Sequence, residues 1–257
     1  EVVPMEEITG KLGGGLYLST QVVNIPRGSG LGTSSILAGA CVKALYEILG
    51  RELSEEELYQ RVLCMEQLMS TGGGWQDQVG GLTPGIKMIT SKAGIRQKIS
   101  CTHCRISLET MEELERRFCL IYSGQRRLAR NLLRDVVGRY VGGVREAVDV
   151  LYEIQRLAVL MRFELEKGNV DGFAGLLSEH WELSKKLDEG CTNTCIDMIF
   201  HAVEDLVCGR MICGAGGGGF LQVVLKRGVT VEQMQARLRE VFRDSGVEVW
   251  KCSFQFP

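Results

Sequence analysis

The stretch Pro26-Arg-Gly-Ser-Gly-Leu-Gly-Thr-Ser-Ser35 constrains this chain more than any other. Alternating glycines at Gly28, Gly30 and Gly32 let a backbone turn tightly and approach a ligand that a Cβ would hold off. Hydroxyls at Thr33, Ser34 and Ser35 follow at once, and the apolar run from Ile36 to Leu45 predicts a buried helix. Upstream, Leu16, Leu18, Thr20 and Val22 alternate as in a strand with one buried face. Loop amides and the positive end of the helix dipole then converge on one point, which suits phosphate. The same residues also fit a plain turn in which Thr33 caps the helix. No Gly-Lys-[Ser/Thr] follows and the glycine spacing is not Gly-x-Gly-x-x-Gly, so neither common nucleotide loop applies.

Composition narrows the partners. The 257 residues carry a net charge of −2 with basic residues dispersed, which argues against a nucleic-acid partner. No apolar run approaches the roughly 18 residues of a membrane span, and the first residues do not resemble a signal peptide. Of ten cysteines, Cys41, Cys64, Cys119, Cys208 and Cys213 sit in apolar patterns as small core residues. The pairs Cys101/Cys104 and Cys191/Cys195 do not combine with His103 into a usual zinc-finger spacing. Reduced thiols in the cytoplasm are the expectation.

Along the chain, Ser54-Glu-Glu-Glu57 is a capping box opening a helix whose apolar face holds Leu58, Val62, Met65 and Met69, with Glu66 at its edge. Glycines at 72–74 break that helix. Short β-type runs are expected at Ile86–Ile89 and Ile95–Ile99, and a buried strand at Phe118–Tyr122. From about 126 to 208 the spacing is helical, as at Val144, Val148, Leu151, Ile154 and Ala158, and predicts three or four packed helices. Strands are expected at Arg210–Cys213, Phe220–Leu225 and Val247–Phe254, with a Thr230-capped helix between the last two. The fold class is therefore α+β, two lobes with a cleft.

Asp77 is the candidate reactive carboxylate, in a glycine-flanked segment where Trp75, Gln76 and Gln78 can fix a polar ligand. Ser34 and Glu66 supply hard oxygens of the kind Mg²⁺ takes beside phosphate and water. Six small residues at 214–219 between two strands are costly in backbone entropy unless that backbone approaches something closely.

With these residues in view, the chain resembles the GHMP kinase superfamily. Pro26–Ser35 is similar to its phosphate motif, Pro-x-x-x-Gly-Leu-Gly-Ser-Ser-Ala, and Cys213–Phe220 to its C-terminal glycine motif. Gly73–Gly81 and Leu120–Leu133 most resemble the L-fucokinases, with bacterial heptose 7-phosphate kinases next. A non-catalytic relative that only binds nucleotide or sugar remains a third reading. The resemblance implies a two-lobed fold: an N-terminal lobe of the ribosomal protein S5 domain 2-like type over 1–125, and a ferredoxin-like lobe with inserted helices over 126–257. It implies ATP and Mg²⁺ as cofactors and a small sugar as substrate, phosphorylated at its anomeric hydroxyl. Asp77 becomes catalytic, and Ser34 and Glu66 the metal ligands. Gly28, Gly30, Leu31, Gly32, Thr33, Ser34 and Ser35 hold the nucleotide phosphates, joined by Gly214, Ala215, Gly216, Gly217 and Gly218. Trp75, Gln76, Gln78, Tyr122 and Arg127 lie near the sugar. The superfamily's first motif, an N-terminal strand and loop, has no counterpart before residue 26. The expectation is a C-terminal portion of a longer polypeptide, with little or no activity alone.

Overall fold

Most of the expected helices and strands recur in the computed structural model, which describes residues 4–69, 73–94, 98–126 and 132–254. The chain divides into two compact units, each assembled from discontinuous stretches. One comprises Glu1–Ile25, Gly32–Pro84 and Ser91–Ser100; the other Pro26–Leu31, Gly85–Thr90 and Cys101–Pro257.

In the first unit, α1 (Met5–Leu12), α2 (Thr33–Leu49), α3 (Glu55–Leu68) and α4 (Gln76–Leu82) surround a small core of Ala38, Leu58 and Val62. The capping box at α3 forms as expected: Glu57 N donates to Ser54 Oγ (3.3 Å) and Ser54 N to the Glu57 carboxylate (3.1 Å). Thr33 does not cap α2; it is the first helical residue, behind a left-handed Gly32 (φ 63°). Small residues bring α2 and α4 together. A Cβ on Gly39 would fall on the Leu82 side chain, and one on Gly81 would lie 2.6 Å from Ile36 Cγ1.

Two expectations change here. The buried face of α3 holds Leu58, Tyr59, Val62 and Glu66, while Met65 is 36 % and Met69 65 % exposed. Positions 58, 62 and 66 form an uninterrupted i+4 row, and a carboxylate can join it when hydroxyl and amide donors meet it. The stretch expected as a strand over 16–22 joins no ladder among the described residues, and Tyr17 within it is 90 % exposed. Alternation predicts a strand only where a neighbouring strand takes up its backbone groups.

A two-stranded sheet pairs β1 (Lys87–Ser91) with β2 (Ile99–His103). Its first strand lies near the run expected from residue 86; residues 95–97 of the second expected run fall outside the described residues. In the second unit, β3 (Phe118–Ser123), β4 (Val207–Ile212), β5 (Phe220–Leu225) and β6 (Val247–Lys251) form an antiparallel sheet in the order β4-β5-β3-β6. Helices α5 (Leu108–Arg117), α6 (Leu132–Val141), α7 (Arg145–Glu166), α8 (Val170–Leu187), α9 (Thr194–Ala202) and α10 (Val231–Phe242) complete it. β5 is apolar nearly throughout because both its faces are covered. Leu221, Val223 and Leu225 join the core of α9 and α10, and Val224 that of α5 and α8. Gly209 lets α8 lie directly on β4, since a Cβ there would sit 2.5 Å from the Ala174 carbonyl oxygen. The helical spacing expected from about 126 to 208 is borne out, and the fully buried positions of α7 are Ala147, Val150, Leu157 and Leu165. α7 packs against α8.

Arg117 anchors α5 on this unit. Its side chain is 7 % exposed and pairs with Glu113 and Asp171, and its Nε donates to the Leu225 carbonyl (2.8 Å). Arg227 Nε also bonds Asp171, at 2.9 Å. Hydrogen bonding to Arg117 holds the Asp171 carboxyl below its ordinary range. Such a group stabilises the fold above its unfolded pKa, about 3.9, and the contribution is lost as the pH falls through the lower folded value. Asp171→Ala should therefore cost about 2 kcal/mol near neutrality, less than a fully buried pair because Asp171 is partly exposed. In urea titrations, the gap to wild type should shrink below about pH 4.

Candidate active site

Glu66 organises the polar centre of the first unit. The residue is 7 % exposed, and its Oε1 accepts from Ser35 Oγ at 2.7 Å and from Ser34 Oγ at 3.4 Å. Its other oxygen, Oε2, accepts from the Gln78 amide. Ser34 is exposed, whereas Ser35 is 1 % and Gln78 0 % exposed. A carboxylate out of water needs such donors to stay charged at tolerable cost. Ser35 was expected on the nucleotide phosphates and Gln78 beside the sugar; the structure turns both inward onto Glu66. Their neighbours do stay at the surface: Gln76 and Asp77 are exposed and Trp75 half-buried.

Asp77 lies in the first turn of α4, with its carboxylate against Gly32, the residue before α2. A Cβ on Gly32 would approach Asp77 Cγ to 3.3 Å. The glycine thus combines a left-handed backbone with the space that a carboxylate occupies. Thr33 follows, half-buried, at the start of α2.

In the second unit, the two glycine segments are joined through their backbones. Phe220 N donates to the Ser29 carbonyl (3.0 Å), and Ser29 itself is 1 % exposed. A Cβ on Gly219 would fall on that same carbonyl oxygen. Leu31 N donates to Ser29 Oγ at 3.4 Å, closing the loop that carries Gly28 and Gly30. On the other side, Gly217 N bonds the Cys191 carbonyl (2.7 Å) and Gly219 N the Gln125 carbonyl (3.0 Å). Asn193 caps α9 and also reaches the Gly217 carbonyl at 3.4 Å. Gly214, Ala215 and Gly217 keep some exposure, while Gly216 and Gly218 are buried. Burial pushes the thiol of Cys213, just before this loop, up to about 12, and that of Cys191 to about 11, so both are neutral near pH 7.

Tyr122 is half-buried on β3, its ring 5.2 Å from that of Phe220. Arg127 lies outside the described residues. Sequence reasoning missed Ser29, Gln125 and Asn193. The Asn-Thr pair before an apolar helix signals the Asn193 cap, but nothing local signals its second bond to the glycine loop.

Each unit thus carries its own candidate elements: Ser34, Glu66 and Asp77 in the first, and the two joined glycine segments in the second. Residues 5–84 match the family model of the GHMP kinases N terminal domain. The chain is 40 % identical over 226 residues to the bifunctional fucokinase/GDP-fucose pyrophosphorylase of Arabidopsis thaliana, covering 88 % of this chain and 21 % of that protein. It is 33 % identical over 241 residues to the L-fucokinase/L-fucose-1-P guanylyltransferase of Bacteroides fragilis, covering 94 % and 25 % respectively. The chain thus spans between a fifth and a quarter of these relatives' length. Its fold is shared with the galactokinase of Lactococcus lactis (TM-score 0.68, 15 % identity, 90 % of this chain and 67 % of that one). Residues 5–84 thus carry a GHMP kinase N-terminal domain, and the chain is similar to the fucokinases over most of its length. No helix among the described residues is long and apolar enough to cross a membrane.

Proposed function

We propose that this chain carries the kinase part of an enzyme that transfers the terminal phosphoryl group of ATP to the anomeric hydroxyl of L-fucose, giving L-fucose 1-phosphate. The observation that carries the reading is the exposed Asp77 carboxylate set against Gly32, at the start of the helix that presents Ser34. The sugar follows from the relatives, whose names are those of fucokinases. The acceptor oxygen forms its bond to phosphorus as the bond to the departing ADP oxygen breaks, and Asp77 receives or orients the acceptor proton. Backbone amides of the loop through Gly28, Gly30 and Gly32, and of the N-terminus of α2, hold phosphate oxygens. Ala215 and its neighbouring glycines support that loop. Trp75 and Gln76, beside Asp77, line the sugar.

The donor set suits magnesium. Ser34 Oγ and Glu66 Oε1 are hard oxygens 3.4 Å apart, with the hydroxyl at the surface. When bound, the ion supplies neutralisation of phosphate charge. All ten cysteines are free thiols, which supports a cytoplasmic setting.

The test is ADP release by the full-length protein with L-fucose, other free sugars and a phosphorylated heptose. L-Fucose should give the highest kcat/KM. A preference for the phosphosugar, or no sugar-dependent release, would overturn the assignment.

A further inference from the structure

We infer that Ser35 and Gln78 are positioning residues that lock the Glu66 carboxylate in the orientation a divalent cation requires; this rests on the kinase reading of the site. Both side chains are buried, at 1 % and 0 % exposure, so neither can contact a sugar or a phosphate from the surface. Each grips a different oxygen. Ser35 Oγ donates to Oε1 at 2.7 Å, and the Gln78 amide to Oε2. With both oxygens held, the carboxylate cannot rotate about its terminal torsion, and Oε1 keeps its edge toward Ser34. Position 35 holds serine where the superfamily's phosphate motif has alanine, so the hydroxyl is an addition to that motif.

Gln78 adds a second sign of purpose. Its Oε1 is buried without a hydrogen-bond partner among the described residues. The amide cannot be turned round to relieve this, since Oε1 would then face a carboxylate that only accepts. An unsatisfied buried acceptor is destabilising, so a glutamine kept for packing alone would be a poor choice. That acceptor suits a hydrogen of an ordered water, including one carried by a cation.

Outer hydrogen bonds of this kind typically change metal affinity by about 10–100-fold when removed. The experiment uses the full-length protein and Mn²⁺ with a non-hydrolysable ATP analogue, read by electron paramagnetic resonance, alongside the Mg²⁺ dependence of turnover. Ser35→Ala and Gln78→Leu should each weaken Mn²⁺ binding by about 10-fold or more. Excess Mg²⁺ should restore kcat, with KM for the sugar unmoved. A fall in melting temperature with wild-type Mn²⁺ affinity would reduce both residues to packing and overturn the inference while leaving the kinase reading intact. If Gln78→Leu does not fold, Ser35→Ala decides alone, as alanine fits a helix start. A wild-type protein without metal-dependent analogue binding would end both.

Discussion

Asp77→Asn in the full-length protein should lower kcat by about 10²–10⁴-fold, the range of a positioned general acid–base group. Affinity for a non-hydrolysable ATP analogue should stay within about twofold, because the amide keeps the size and polarity of the side chain. The distinction matters, since a carboxylate needed mainly for nucleotide binding would move both quantities together. Gly32→Ala gives the geometric counterpart. It forces a left-handed residue at φ 63° and brings a Cβ to 3.3 Å from Asp77 Cγ. Turnover should fall through displacement of the carboxylate even though its chemistry is untouched. Survival of transfer in Asp77→Asn would mean that another group takes the acceptor proton.

The second large effect concerns the junction of the two glycine segments. Gly219→Ala should destabilise by about 3 kcal/mol, combining about 1–2 for left-handed alanine with about 1–3 for overpacking. The colliding atoms are backbone, the carbonyls of Ser29 and Gly28, so no side-chain rotation relieves them. Gly228 offers a matched control, at φ 82° against 83° but with no described atom within 4 Å of the place a Cβ would take. Gly228→Ala should lose only the backbone share, about 1–2 kcal/mol. Equal losses for the two variants in urea denaturation would show that contact with Ser29 is not what demands glycine at 219.

Local chemistry made much of the fold legible. The Ser54 capping box, the Thr230-capped helix and the strands at Phe118–Tyr122 and Phe220–Leu225 depend on neighbours within a few residues, and each recurs as expected. Where two local answers were equally good, sequence reasoning took the wrong one. α3 has methionines beside a glutamate, and hydrophobicity puts Met65 and Met69 inside. Hydrogen-bond donors arriving from α2 and α4 reverse that choice.

The same division runs through the candidate site. Glycine at alternate positions 28, 30 and 32 already dictates left-handed turns, since all three have positive φ and few other residues tolerate it. Likewise, an exposed aspartate after a glycine run follows from short-range pattern. Which side chains face Glu66, and the bond from Phe220 to Ser29 across more than half the chain's length, were decided only when distant segments met. Pairings of that sort depend on shape and unmet donors in three dimensions, quantities that residue order does not display.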